Sequence, residues 1–194
     1  MTGPGTVAPL RSPATARDRA AELARLLRGQ ATEAGTPDAG RDREALGMLG
    51  WALGWLTGVP AYDVGFGTDE VLDAVHAGHP RGDTGYARSE RAIRAARDLA
   101  EAWHWRIRTQ VFADELVTRG LDPVALVREV AEYQRERAGL AVVDGDFQAF
   151  GKPFRDLAAA EFDAVLQVTL QRHRALNWLC GLARTWDDDA SLTT

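Results

Sequence analysis

The stretch that decides the fold is residues 162–180, which read FDAVLQVTLQRHRALNWLC. Its apolar residues recur every three or four positions, and this spacing predicts a helix with one buried face. That face carries Phe162, Leu166, Thr169, His173, Leu176, Cys180 and Ala183. Arginines, a histidine and an asparagine interrupt the apolar helix, and buried polar groups are costly unless they are paired. The segment is therefore expected to hold either a structural network or a binding site.

The same helical spacing occurs at about 14–28, 42–56, 89–118 and 123–138, and a short helix is expected from Thr68. Residues 140–157 lack it. Asp144-Gly145 is a hairpin-type turn with short flanks, so we interpret this stretch as a loop, with a small hairpin as the alternative. No alternation of strands and helices occurs. The prediction is an all-α fold, a single bundle-like domain of about five to six helices with one small hairpin or loop near 140–156.

The domain is expected to span residues 14–186, between a disordered tail over 1–13 and a polar tail over 187–194. The helix at 42–56 is apolar almost all round, which predicts a central position against the helices at 89–118 and 157–183. Its glycines, Gly47 among them, are expected to let a neighbouring helix approach closely. Asp156 is expected to cap the last helix.

Composition excludes several classes of protein. The net charge of −5 gives no overall basic surface, so no nucleic-acid partner is predicted. The uncharged run 45–61 contains four glycines and a proline and predicts a buried helix and a loop, with no membrane partner. Cys180 is the only cysteine, which excludes an intramolecular disulfide and favours a cytoplasmic location. Lys152 is the only lysine among many arginines, a bias typical of a GC-rich bacterial genome.

The candidate site centres on His173 and Asn177, which lie one helical turn apart on nearly the same face. His173 is either a general base or ligand that Asn177 helps to orient, or a buried histidine satisfied by a carbonyl or carboxylate. Arg172 and Arg174 are expected to form salt bridges or to bind an anion as a guanidinium fork. Trp178 belongs to the same segment.

Other candidates lie elsewhere in the sequence. Trp103 and Arg106 are either packing residues or a platform on which a ligand stacks. Lys152 hints at a site that needs a compact ammonium group. Asp187 and Asp188 are expected to pair with arginines rather than bind Mg²⁺ or Ca²⁺. His76 and His79 lack further ligands for zinc, so no metal is predicted, and the sequence identifies no cofactor.

Three blocks of the chain resemble a bacterial family known as domain of unknown function 4272. They are Arg172-His173-Arg174-Ala175-Leu176-Asn177-Trp178-Leu179-Cys180-Gly181 with Trp186-Asp187-Asp188, residues 146–157 around Phe150-Gly151-Lys152-Pro153-Phe154, and residues 43–53 with Trp103 and Arg106. The chain departs from the family's usual ending, since Leu192-Thr193-Thr194 has no acidic residue between two threonines. The family has no assigned activity, so the resemblance implies only that the polar segment of the last helix is a hallmark.

These observations predict a non-enzymatic binding or protein-interaction module with a polar pocket at the C-terminal helix. The pocket would combine His173 and Asn177 with Lys152, Asp187 and Asp188. One alternative is an enzyme, of hydrolytic type, with His173 as general base and Lys152 or an arginine stabilising negative charge. Another is an immunity-type partner of a second protein. The ligand is an unidentified small molecule or protein, and the oligomeric state stays open.

Overall fold

A computed structural model describes residues 8–31, 39–78 and 85–186. Within these ranges the chain is mostly helical, as predicted, but a small three-stranded antiparallel sheet corrects the all-α assignment. The helices are α1 (Pro13–Ala31), α2 (Ala39–Leu53), α3 (Thr68–Gly78), α4 (Glu90–Val111), α5 (Ala113–Thr118), α6 (Pro123–Ala138) and α7 (Ala159–Leu179). The strands are β1 (Val142–Val143), β2 (Asp146–Ala149) and β3 (Lys152–Pro153). A 3₁₀ turn at Phe154–Asp156 leads from β3 towards α7.

The sheet consists of two consecutive hairpins, so the alternative of a small hairpin, and not the loop, is found in this stretch. Asp144-Gly145 and Phe150-Gly151 form the two connections, and all four residues have positive φ, between 49° and 74°. Positive φ at both central residues is the geometry of the tight hairpin turn whose twist matches that of the flanking strands. Strands of two to four residues have little stability of their own. Phe147 on β2 is buried against the helices, and this packing supplies the stability that such short strands lack on their own.

The start of α6 lies where the sequence predicts it, whereas the end of α4 does not. Asp122 caps α6 by accepting hydrogen bonds from the backbone N–H groups of Val124 and Ala125 at 3.0 and 3.2 Å, as its sequence predicts. The helix expected to run to residue 118 instead ends at Val111, because Phe112 leaves the helical dihedral angles before α5 begins.

The start of α7 also differs from the prediction. The carboxylate of Glu161, not that of Asp156, accepts the backbone N–H of Ala158 at 2.7 Å. Asp156 lies in the preceding 3₁₀ turn. A glutamate three residues into a helix can reach back in this way and satisfy a backbone donor that has no partner within the helix.

α2 is buried and packs against α1 and α7, and its contact with α7 is the predicted one. α7, and not α2, makes the main contact with α4. Gly47 of α2 faces the ring of Phe66, not a neighbouring helix, and a Cβ added there would lie 2.2 Å from Cδ2 of that ring. A close approach to Gly47 therefore exists, as expected, but the side chain that makes it belongs to a loop and not to a neighbouring helix.

Two apolar clusters form the core, and both contain part of α7. The first joins α1, α2, α3 and the earlier part of α4 to the C-terminal half of α7. The second joins the sheet, α6 and the later part of α4 to the N-terminal half of α7. The polar residues of α7 lie between these clusters, at the position where α4 crosses from one to the other.

Residues 8–12, which we had assigned to a disordered tail, pack against the end of α7. The Arg11 guanidinium donates to the carbonyl oxygens of Trp178 and Ala183 at 3.0 and 2.7 Å, and its backbone N–H donates to that of Leu179 at 2.9 Å. Carbonyls at a helix C-terminus have no partner within the helix, so Arg11 satisfies groups that α7 leaves open. Within the described ranges, no helix has both the length and the apolar character needed to cross a membrane.

Candidate functional site

Five polar side chains meet where α4 lies against α7, and we call them the α4–α7 cluster. Arg97, Glu101 and His104 come from α4, and His173 and Asn177 come from α7. Spacings of three and four residues place the side chains of each helix on one face. The cluster therefore follows from the helical periodicity of both segments and from their packing.

Hydrogen bonds link four members of the cluster. Glu101 Oε2 lies 2.8 Å from His173 Nε2 and accepts from Arg97 Nη2 at 2.9 Å. Arg97 Nε donates to Asn177 Oδ1 at 3.0 Å, and Asn177 Nδ2 lies 3.1 Å from His173 Nε2. His173 is thus a buried histidine paired with a carboxylate, one of the two arrangements considered for it. Asn177 contacts the side chains of Arg97 and His173.

His104 is the member with an unused ring nitrogen. Its ring stacks on that of His173, with centroids 4.7 Å apart and an angle of 28° between the planes. The residue is only 4% exposed, and its Nε2 has no hydrogen-bond partner among the described residues. Burial is the main cause that lowers the pKa of His104 to about 4, and the neighbouring His173 acts in the same direction. His104 is therefore neutral at pH 7, with a lone pair on one nitrogen.

Glu101 connects the cluster to the surface. Its side chain is 45% exposed, whereas the two histidines are buried. The hydrogen bond with His173 is the main cause that lowers the pKa of Glu101 to about 2, against the opposing effect of burial. At neutral pH the cluster thus presents a carboxylate at its mouth and neutral His104 behind it. One ligand atom from each of Glu101, His104 and His173 lies within 4.8 Å of the others, so these three residues could hold a metal ion.

Three cavities in the described chain have volumes of about 1100, 490 and 230 Å³. The largest lies over the opposite face of α4, between Trp51 and Arg137, and His173 lines none of the three. A general base must come within hydrogen-bond reach of a substrate proton. These cavities therefore offer no substrate-sized space for the hydrolytic alternative based on His173.

Arg172 belongs to a separate, fully buried network. Its Nε donates to Glu44 Oε2 at 2.9 Å, and its Nη1 donates to the carbonyl oxygen of Pro60 at 2.7 Å. The guanidinium also lies over the ring of Tyr62, 4.7 Å from the centroid. A salt bridge was one of the two roles expected of Arg172, and its partner is Glu44. Asp187 and Asp188 lie outside the described residues.

Arg174 and Trp178 face away from His173, towards α1 and α2. Arg174 Nη2 lies 4.0 Å from Asp42 Oδ1, and its guanidinium covers the ring of Trp186 at 5.1 Å. Trp178 packs edge-on against Trp186, with centroids 5.2 Å apart. These two predicted site residues thus help to hold Trp186 against the helices.

Lys152 lies far from the cluster. It is on β3, and its Nζ is 2.7 Å from Glu161 Oε2 in the first turn of α7. Glu161 precedes His173 by twelve residues, which corresponds to roughly 18 Å along a helix. The structure therefore does not bring Lys152 into one pocket with His173 and Asn177.

Trp103 and Arg106 are buried in the second core. Trp103 stacks on Tyr62 with centroids 4.8 Å apart, and Arg106 pairs with both carboxylate oxygens of Asp146 at 2.7 and 2.8 Å. Burial by itself would raise the pKa of Asp146, but hydrogen bonds from Arg106 and from backbone N–H groups lower it below the ordinary value. Both predicted site residues therefore make packing and ion-pair contacts with the sheet.

Sequence reasoning missed the α4 half of the cluster. Arg97, Glu101 and His104 are not among the candidates that the sequence offers. The available signal was the Glu101-x-x-His104 spacing, which places a carboxylate and an imidazole on one helical face. His76 is exposed on α3, and His79 lies outside the described residues.

Comparisons with protein-family models, with curated proteins and with solved structures found no match for this chain. The resemblance to domain of unknown function 4272 therefore stays a prediction.

Proposed function

We propose that the protein is a non-enzymatic binding protein and that the α4–α7 cluster is its binding site. The observation that carries the proposal is the buried Nε2 of His104, which has no hydrogen-bond partner among the described residues. Leaving such an atom unpaired costs about 1–3 kcal/mol. Buried polar groups in folded proteins are generally paired, so an unpaired one inside a polar cluster points to a role other than stability.

Two buried ion pairs in the described part of the chain provide the contrast. Arg172 with Glu44, and Arg106 with Asp146, form networks whose contacts also include backbone groups. Both networks lie inside the core. The α4–α7 cluster differs from them in two respects, because it contains an unused lone pair and because Glu101 opens it to the surface.

The small size of the site favours binding of a small ligand over catalysis. The cluster offers a carboxylate, two imidazoles, an amide and a guanidinium within one helical turn or two of each other. None of the three cavities described above adjoins His173. A small ion or polar group that enters beside Glu101 fits this arrangement better than a substrate that must be positioned for reaction.

The test is a thermal-shift screen of the full chain against metal ions, phosphate, small carboxylates and amines. A ligand present at 100 times its dissociation constant stabilises by about 2.7 kcal/mol, which corresponds to roughly 5–10 °C in a domain of this size. We expect at least one component to raise the midpoint of wild type, to leave His104→Phe unshifted, and to be recovered unchanged. The proposal fails if no component shifts wild type, or if the shift is equal in the variant.

His76→Gln is the matched control in this screen. His76 is an exposed histidine of α3 outside the cluster. Its replacement should leave every shift as in wild type, because it removes an imidazole from the surface without touching the proposed site.

A further inference from the structure

We infer that the α4–α7 cluster binds a divalent transition-metal ion of the Zn²⁺ type through Glu101, His104 and His173. This inference rests on the proposed function and names the ligand of the same site. The three side chains come from two packed helices, and one ligand atom from each lies within 4.8 Å of the others. Two imidazoles and a carboxylate form one of the ligand sets that proteins use for zinc.

The distances are close to those that coordination requires. Zinc binds imidazole nitrogen and carboxylate oxygen at about 2.0–2.2 Å, so ligand atoms in a tetrahedral site lie about 3.4 Å apart. His173 Nε2 and Glu101 Oε2 are already 2.8 Å apart. The widest spacing in the group has to close by about 1.4 Å to reach the tetrahedral value. Because His173 and Glu101 are already close, the widest spacing involves His104, and rotation of a histidine ring together with the half-exposed Glu101 side chain has to supply that movement.

The two histidines are prepared for coordination in different ways. A metal gains the Nε2 lone pair of His104 without breaking a hydrogen bond. His173 Nε2 contacts Glu101 Oε2, and the metal replaces that contact. A neutral imidazole that binds through Nε2 keeps its proton on Nδ1, and Glu101 then coordinates the ion. The two rings are stacked at 28° to each other, so their in-plane lone pairs point nearly side by side, and coordination of one ion requires the rings to tilt towards each other.

The ligand types and the neighbouring charge set the selectivity and strength of the site. Imidazole suits zinc and its neighbours in the first transition row, whereas Mg²⁺ and Ca²⁺ prefer sites made of oxygen ligands. Arg97 opposes any cation, because its Nη2 lies 2.9 Å from Glu101 Oε2. Replacing Arg97 with glutamine removes this repulsion, so it should tighten metal binding by about tenfold.

The experiment is calorimetric titration of tag-free, metal-depleted full chain with Zn²⁺, supported by the absorption spectrum of Co²⁺ as a probe of ligand geometry. We expect one Zn²⁺ per chain and no comparable binding of Mg²⁺. His104→Phe keeps a ring against His173 and should weaken Zn²⁺ binding by about 100-fold or more. Glu101→Gln changes a half-exposed residue with little risk to folding, and it should weaken binding by at least about tenfold.

Arg97→Gln and His76→Gln separate the proposed site from other histidine-containing surfaces. The first should bind Zn²⁺ more tightly than wild type, and the second should bind it equally. The inference is overturned if wild type binds no Zn²⁺, if His104→Phe and Glu101→Gln both bind as wild type does, or if Arg97→Gln binds more weakly.

The two proposals fail in different ways. If Zn²⁺ and Co²⁺ do not bind, but another component of the thermal-shift screen stabilises wild type and not His104→Phe, the metal assignment falls and the binding function stands. If no component stabilises wild type selectively, both fall.

Discussion

Replacing Arg172 with methionine should destabilise the protein severely, because it leaves the buried carboxylate of Glu44 without its main counter-charge. Arg172 is fully buried and Glu44 is 1% exposed, and the pair is joined at 2.9 Å. After the substitution Glu44 retains the backbone N–H of Phe66 at 2.8 Å and a long contact with Arg43 at 3.4 Å. The carbonyl oxygen of Pro60 also loses its donor.

Breaking a buried ion pair by removing one member costs about 3–5 kcal/mol. In a domain of this size each kcal/mol lowers the unfolding midpoint by roughly 2–4 °C. The expected fall for Arg172→Met is therefore roughly 6–20 °C. The Arg172 guanidinium lies over the rings of Tyr62 and Phe66, and a flexible methionine side chain can fill part of that space, so the loss reflects mainly the charge rather than an empty cavity.

The assay is thermal and urea unfolding at pH 7, followed by circular dichroism, of wild type, Arg172→Met, Glu44→Gln and the double variant. Glutamine keeps an acceptor for Phe66 while removing the negative charge. The double variant should therefore be more stable than the sum of the single losses predicts, by about 2 kcal/mol or more. A loss below about 1 kcal/mol for Arg172→Met, or additive single losses, would refute the reasoning.

Three further predictions concern other parts of the chain. In metal-free wild type, the free energy of unfolding should fall by up to about 3 kcal/mol as the pH drops from about 6.5 to about 4. The reason is that His104 takes up its proton near pH 6.5 in the unfolded chain but only near pH 4, its pKa in the folded protein. Urea unfolding should show that His104→Phe lacks this part of the decline. Gly47→Ala should cost about 1–3 kcal/mol in thermal unfolding, because its Cβ would lie 2.2 Å from the buried ring of Phe66, and wild-type stability would contradict this. Lys152→Met should lower the free energy of unfolding by at most about 1 kcal/mol, since its ion pair with Glu161 is partly exposed. It should also leave the ligand-induced midpoint shifts of the thermal-shift screen unchanged, and loss of such a shift would place Lys152 in the binding site.

Features of the fold that depend on neighbouring residues could be predicted from the sequence. Asp122-Pro123 and Gly139 bound α6 as expected, because a capping side chain and a left-handed glycine act within one helical turn. The sheet could not be predicted with the same security. Its tight turn at Asp144-Gly145 was visible, but strands this short depend on Phe147 packing into a core that the local sequence does not reveal.

The candidate site likewise has a part that the sequence predicts and a part that only the packing of the helices creates. His173 and Asn177 could be identified from the period of α7, since both interrupt a buried face. Their contacts with Arg97 and Glu101 connect residues 72 to 80 positions apart, and only the packing of α4 on α7 creates them. The ion pair of Arg172 spans 128 positions, so the sequence could indicate a salt bridge as one possible role of Arg172 but could not identify Glu44 as its partner.

The central claim is that the chain keeps His104 for binding and not for stability, and the thermal unfolding of His104→Phe beside wild type in metal-free buffer tests it most directly. Phenylalanine preserves a ring against His173 and removes the buried nitrogen that lacks a partner. We expect the unfolding midpoint of His104→Phe to be equal to or higher than that of wild type, because functional residues often lower the stability of a protein. A midpoint lower by more than about 4 °C would show that the imidazole stabilises the fold, and it would contradict the assignment of the α4–α7 cluster as a binding site.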